Sequence, residues 1–206
     1  MRNFLLSSLL LFFMACAQSP YRSLQIAEKN TDYCLTHFEQ HFKPLLFNTH
    51  AYISGHHLSG LLLIKEMPDS SIRVVFSNEM GLKYFDFEYS HSKFKVIYCI
   101  HQLNRKIVLN LLRKDLGLLI GEDIDFTRGK ILQSGDEYFY SFIKGKEQTY
   151  YVTDKTCTEL KRIEQAYHNT KKVIMNFKGF TGSFADSVYI AHQTFDFNIS
   201  LRKLER

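Results

Sequence analysis

Apolar and polar residues alternate with a period of two along most of this chain, and short polar turns interrupt the alternation. Stretches 52–66, 71–77, 83–90 and 93–101 read as strands, rich in Val, Ile, Phe and Tyr and separated by turns such as "MPDS" and "SHS". The pattern changes at "NRKIVLNLLRKDLGLLIGED". There Ile107, Val108, Leu111, Leu112, Leu116, Leu119 and Ile120 fall on one broad helical face, with Arg105, Lys106, Arg113 and Lys114 interspersed. Asn104 can cap that helix, and Gly117 or Gly121 can weaken or end it. Strands resume at 130–134, 137–143, 149–152, 162–167, 172–177, 188–192 and 195–203. An earlier helix is expected from Thr31 or Asp32 to about Phe42, with Leu35, Phe38, Phe42 and Leu45 as its stripe and Pro44 closing it. The order predicts a mainly β (α+β) domain: one antiparallel sheet with one or two helices packed on a single face.

One turn stands out. "RVVFSNEMGLKYFDFEY" places Asn78 and Gly81 at the first and fourth positions of a type I turn between two strands. Glu79 and Met80 then project furthest into solvent. A glutamate is ordinary there, but burying a methionine is worth roughly 1.5–3 kcal/mol, so its place at a tip asks for a reason.

The first residues are of another kind. "MRNFLLSSLLLFFMACAQS" has Arg2 ahead of an uncharged, mostly apolar run over 4–14, too short to span a bilayer and suited to a signal peptide. It ends in "FMAC", which is similar to a bacterial lipobox. That likeness implies a signal over residues 1–15 and acyl modification of Cys16, by palmitate or similar chains. Phe13 stands where Leu is favoured, and Met14 is larger than the usual residue. Ala15-Cys16-Ala17 also fits the A-x-A site of ordinary secretory cleavage. Residues 16–30 are expected to form a lipidated polar tether and 31–206 a single domain.

Composition adds modest constraints. Removing residues 1–15 takes away Arg2 and lowers the formal net charge from +5 to +4, mildly basic and diagnostic of no partner. Tyr (12) and Phe (18) without Trp fit extensive sheet. Export permits a disulfide, but Cys34, Cys99 and Cys157 have no motif spacing that selects a pair.

Chemistry is sparse. Cys34, His37 and His41 share one side of the first expected helix, but Phe38 stands where a zinc protease motif needs Glu. His56 and His57 point to opposite strand faces. "GFTGSFADS" is not a nucleophile elbow, and there is no Walker loop or dinucleotide fingerprint. Asp86 and Glu88 read as the solvated side of their strand. The basic residues around Arg105 and Lys114 carry no nucleic-acid motif. The expectation is a binding protein: no catalytic residue, no metal, no cofactor and no nucleic acid.

"SGLLLIKEMPDSSIRVVFSNEMGLKYFDFEY" resembles the opening sheet of LolB-like lipoproteins, and "DSVYIAHQTFDFNISLRKLE" resembles the closing strands of the wider LolA/LolB group. The likeness spans most of 31–206 as pattern, with its sharpest part about fifteen residues long. It implies a curved, incomplete β-barrel with helices as a lid over a concavity that accepts acyl chains. It also implies an outer-membrane lipoprotein facing the periplasm, a role in lipoprotein localisation, and an exposed apolar residue before a turn glycine that enters the membrane. Here those positions are Met80 and Gly81; Glu79 replaces the family's proline, and Met replaces the commoner Leu. Cavity candidates are Ile72, Val74, Phe76, Phe85, Phe87, Val96 and Tyr98, with Leu112 and Leu116 for the lid. The expected partners are acyl chains, lipoproteins and, through the anchor, a membrane; the chain itself is expected to be monomeric. The alternative is a lipid-anchored interaction or scaffold protein of the same fold with a filled interior and no transport role.

Overall fold

The computed structural model describes residues 20–27, 44–53, 55–90, 93–122, 124–180 and 184–204. The strands are β1 (Gln25–Ile26), β2 (Leu45–Ile53), β3 (His56–Glu66), β4 (Ile72–Ser77), β5 (Lys83–Ser90), β6 (Lys93–Cys99), β7 (Lys130–Ser134), β8 (Glu137–Lys144), β9 (Glu147–Asp154), β10 (Leu160–Tyr167), β11 (Thr170–Phe180), β12 (Ala185–His192) and β13 (Phe197–Lys203). Among the described residues one α-helix, α1 (Lys106–Leu119), lies between β6 and β7, followed by a 3-10 turn at Phe126–Arg128. All thirteen strands among the described residues join one sheet in the order β1-β7-β8-β9-β10-β11-β12-β13-β2-β3-β4-β5-β6. Every pairing is antiparallel.

Two meanders, β2–β6 and β7–β13, are thus joined by the pairing of β13 with β2, where Phe197 lies opposite Ile53 and Lys203 opposite Phe47. The sheet is curved and unclosed: β1 and β6 stand at opposite edges. In sequence α1 connects the last strand of one meander to the first long strand of the other, so it crosses the concave face. The expected architecture, a mainly antiparallel incomplete barrel with a helix on one face, is the one observed.

Alternation fixes which residues face the helix. In β2 Leu45, Phe47, Thr49, Ala51 and Ile53 are buried, and the residues between them are exposed or half-buried. Val74, Phe76, Phe85, Phe87, Val188, Ile190, Ile199 and Leu201 continue this layer, and Val108, Leu112 and Leu116 of α1 complete a single apolar cluster. A smaller cluster sits on the convex side, where Tyr21 and Leu24 pack with Leu132 on Phe139, Tyr150 and Val152.

Several boundaries differ from expectation. The strand expected at 52–66 is two strands, β2 and β3, and β2 begins at Leu45, a residue assigned above to a helix stripe. Thr49 and Ala51 occupy buried positions of β2 and dilute its apolar alternation. The tether expected over 16–30 is docked over part of its length: Gln25 and Ile26 pair with Gln133 and Leu132 of β7. The first expected helix, with Cys34, His37 and His41, lies outside the described residues, as does Cys16. Cys157 is disulfide-bonded, whereas Cys99 is a free thiol.

Candidate functional site

The apolar stripe of α1 seats Leu112 and Leu116 at 0% and 1% exposure against the concave sheet. Both are surrounded by residues from the two meanders. Polar contacts from three strands hold the helix in register. The Tyr89 hydroxyl of β5 donates to the Arg113 carbonyl at 3.1 Å, and the Tyr151 hydroxyl of β9 donates to the Leu118 carbonyl at 3.1 Å. Burial raises both phenols above their ordinary range, which keeps them donors. From β12, His192 Nε2 lies 2.7 Å from Asp115 Oδ2, with both side chains almost fully buried. Asp115 Oδ1 has no hydrogen-bond partner among the described residues. Burial pushes this carboxyl above the usual carboxylate range, and the opposing His192 contact does not cancel the shift. An exposed ion pair, Lys114 with Glu147 of β9, closes the outer side.

Clefts flank the helix. One of about 370 Å³ lies between the start of α1 and the β2–β3 hairpin, lined by Ile53, Leu58, Tyr84, Ile100, Leu103 and Val108 among others. A second, of about 220 Å³, runs beside Asp115 and His192, with Leu111, Ala166, Val173 and Phe195 as apolar walls. A larger, more polar groove of about 510 Å³ borders the outer side of α1 near Arg113, Glu122 and Lys144. Ligand pockets usually occupy about 300–1,000 Å³, so the second cleft is small as it stands. The space directly beneath α1 is filled by side chains.

The sequence-predicted residues divide into three groups. Val74, Phe76, Phe85, Phe87, Leu112 and Leu116 come together under α1, and Ile72 packs half-buried at their margin. Val96 and Tyr98 do not join them; they are 38% and 48% exposed on β6. A bulge explains Tyr98: Val96 pairs with Phe87 on the core side, Ile97 is left unpaired, and Tyr98 pairs with Asp86 on the opposite face. Val96 keeps the core side but is exposed there, on the edge strand. Asp86, expected on a solvated side, is 1% exposed because Arg73 and Lys83 cover it at 2.6 and 2.9 Å.

Met80 and Gly81 form the third group. The Gly81 amide donates to the Asn78 carbonyl at 3.0 Å, and the Leu82 amide donates to Asn78 Oδ1 at 2.8 Å. Gly81 has φ +83°, a left-handed conformation that costs other residues strain. Met80 is 86% exposed, and Leu82, which the sequence reading did not single out, is 67% exposed. The base of this turn rests on Gly60, where an added Cβ would lie 2.0 Å from the Ser77 carbonyl oxygen. Only glycine allows β3 to approach the turn this closely.

The convex face holds a network that no local sequence pattern announces. Arg162 makes a two-pronged contact with Glu137 at 2.8 and 2.7 Å and donates through Nε to Glu164 at 2.7 Å. Glu164 also accepts from Lys171 at 2.9 Å and from the Tyr21 hydroxyl at 2.8 Å. Burial alone would raise the Glu164 carboxyl; the donors outweigh it and hold it below its ordinary range. Hydrogen bonding to Arg162 lowers Glu137 as well. Tyr21 stacks on Tyr150 with ring centroids 4.3 Å apart, so the N-terminal segment is strapped across β8–β10.

No protein-family model matches the chain, and no curated protein matches it. Solved structures do. A domain assigned provisionally to an outer membrane lipoprotein-sorting protein of Vibrio parahaemolyticus superposes with a TM-score of 0.48 at 7% identity, covering 84% of this chain and 90% of that one. A DUF1329 family protein from Desulfovibrio piger superposes with a TM-score of 0.47 at 10% identity, with the same coverage.

Proposed function

We propose that the chain is a lipid-anchored protein of the cell envelope that receives acyl chains, or the lipid moieties of lipoproteins, beneath α1. The observation that carries this reading is an amphipathic helix laid over an apolar concave sheet and flanked by clefts, taken together with a sequence over 13–16 that is similar to a lipobox. Binding is driven by burial, at about 0.8 kcal/mol per CH₂. Because the interior is filled, α1 must shift before a chain can enter. In this reading Met80, with Leu82 beside it, enters lipid when cargo is delivered to the outer membrane. The protein acts by binding, without catalysis or a cofactor. The disulfide at Cys157 supports an oxidising compartment. A lipidated Cys16 has no thiol left to pair, so this reading joins Cys157 to Cys34, which non-reducing peptide mapping checks.

A second reading has its own support. Leu112 and Leu116 are buried in one continuous core, as in a scaffold protein with no room for a guest. Native mass spectrometry and a fluorescent fatty-acid probe separate the two. Acyl binding predicts co-purifying lipid, and Leu112→Glu should reduce probe binding at least tenfold. Wild type that binds no probe, with Leu112→Glu only unfolding, establishes the filled scaffold.

A further inference from the structure

We propose that the convex face around β8–β10 is the surface turned toward the lipid bilayer, with α1 and its clefts on the far side. This shares with the reading above the acylation of Cys16, on which it rests, and concerns the anchored protein outside the delivery step assigned to Met80. It comes from counting residues. If residues 16–30 were all free, as a polar tether would be, fourteen residues would separate the anchor from the domain and let it reach about 50 Å in any orientation. The chain is instead fixed at Tyr21. That ring stacks on Tyr150, its hydroxyl donates to buried Glu164, and the Lys171 ammonium lies 5.6 Å from its centroid. β1 then ties Ile26 to Leu132. Four residues, five steps of the chain, separate Cys16 from Tyr21, a reach of at most about 18 Å. A domain of this size has a radius of gyration of about 16 Å, so an anchor that short cannot swing the opposite side of the sheet onto the membrane.

The surface beside the strap suits lipid. Ile26 pairs with Leu132, which belongs to the convex cluster, and Ile26 is 80% exposed on that same face. Arg22 is exposed within the strap, and Lys178 is exposed on the convex side of β11. Lys161 of β10 is 39% exposed. Glu137 and Glu164 nearby are already neutralised by Arg162 and Lys171. An exposed apolar side chain on a face that also carries exposed cations complements an anionic bilayer.

The test is amine footprinting of the full chain expressed with its own signal, purified as the mature protein and inserted into vesicles containing phosphatidylglycerol. Intact mass first reports whether Cys16 is acylated. Orientation as proposed should lower labelling of Lys161 and Lys178 at least threefold on vesicles, while Lys106 and Lys114 on α1 keep their solution reactivity. Tyr21→Ala, checked for folding by its melting curve, should lose that protection by freeing the strap. An acylated protein with uniform labelling, or with protection at Lys106 and Lys114, overturns the orientation and leaves the anchor intact. A mature mass without acyl chains removes the anchor and this inference with it.

Discussion

Two carboxylates buried in this molecule face opposite fates. Asp115, beneath α1, and Glu164, beneath the N-terminal strap, are 0% and 1% exposed. Glu164 accepts from three donors and ionises more readily than a free carboxylate; among the described residues Asp115 has one hydrogen-bond partner, His192, and an oxygen without one, and ionises less readily. Both are hidden from solvent, but Asp115 lies deeper with one partner while Glu164 has three donors, two of them cations, so depth and donors together set the sign. The strap side is therefore locked by charge, whereas the helix side is held mainly by apolar packing and leaves an acid incompletely satisfied.

The largest break in this contrast should come from Arg162→Ala, which strips the shared donor from Glu137 and Glu164. Uncompensated buried charge usually costs 3–5 kcal/mol, and with Lys171 still present we expect about 3 kcal/mol in urea unfolding. A loss below about 1 kcal/mol would mean that the network is no lock. Tyr21→Phe is subtler. The stack on Tyr150 remains and only the hydroxyl donor to Glu164 goes, for an expected cost of about 1.5 kcal/mol, with faster proteolysis ahead of Gln25.

Acidity should pull the two sites apart. Glu137 and Glu164 have lowered folded-state pKa values, so their contribution is present above about pH 4.3 and is lost as pH falls below it. Asp115 has a raised one, so its contribution is present below about pH 3.9 and is lost as pH rises from there. Asp115→Asn removes that penalty. Its stability relative to wild type should improve by about 1 kcal/mol as pH rises from 4 to 7, read from unfolding curves at each pH. A flat difference would show that His192 fully compensates the acid. The smallest effect belongs to Met80→Glu, which should change stability by no more than about 0.5 kcal/mol because the side chain is 86% exposed. Liposome association of an unlipidated form should nonetheless fall. Marked destabilisation would mean that Met80 packs against the fold.

What the sequence made legible follows from how local each signal is. β5 at Lys83–Ser90 and β7 at Lys130–Ser134 match their expected limits because strong alternation and turn residues bound them. The Asn78–Gly81 turn was readable because its hydrogen bond depends on four neighbouring residues. β2 was not, since Thr49 and Ala51 are buried by the register of β13 and β3 and not by their own hydrophobicity. The extra residue at Ile97 shifts the face of Tyr98 without leaving a mark on the alternation. Tyr21 and Glu164 are 143 residues apart, and His192 and Asp115 are 77 apart. No periodicity links such pairs, so both polar sites became visible only once the sheet had formed.

The unclosed sheet has a further consequence, for association between molecules. Among the described residues the outer edge of β6 pairs with no strand, and an open edge invites a second chain to add to it. β6 carries Lys93 and Lys95, each exposed, followed by the bulge that leaves Ile97 out of the ladder. A neighbouring strand would bring two ammonium groups against its own backbone and lose register at the bulge. At the other edge, β1 is two residues long and offers too few amides to template a partner. The features that disrupt β6 as a ladder thus also weaken that rim as a template for a second chain.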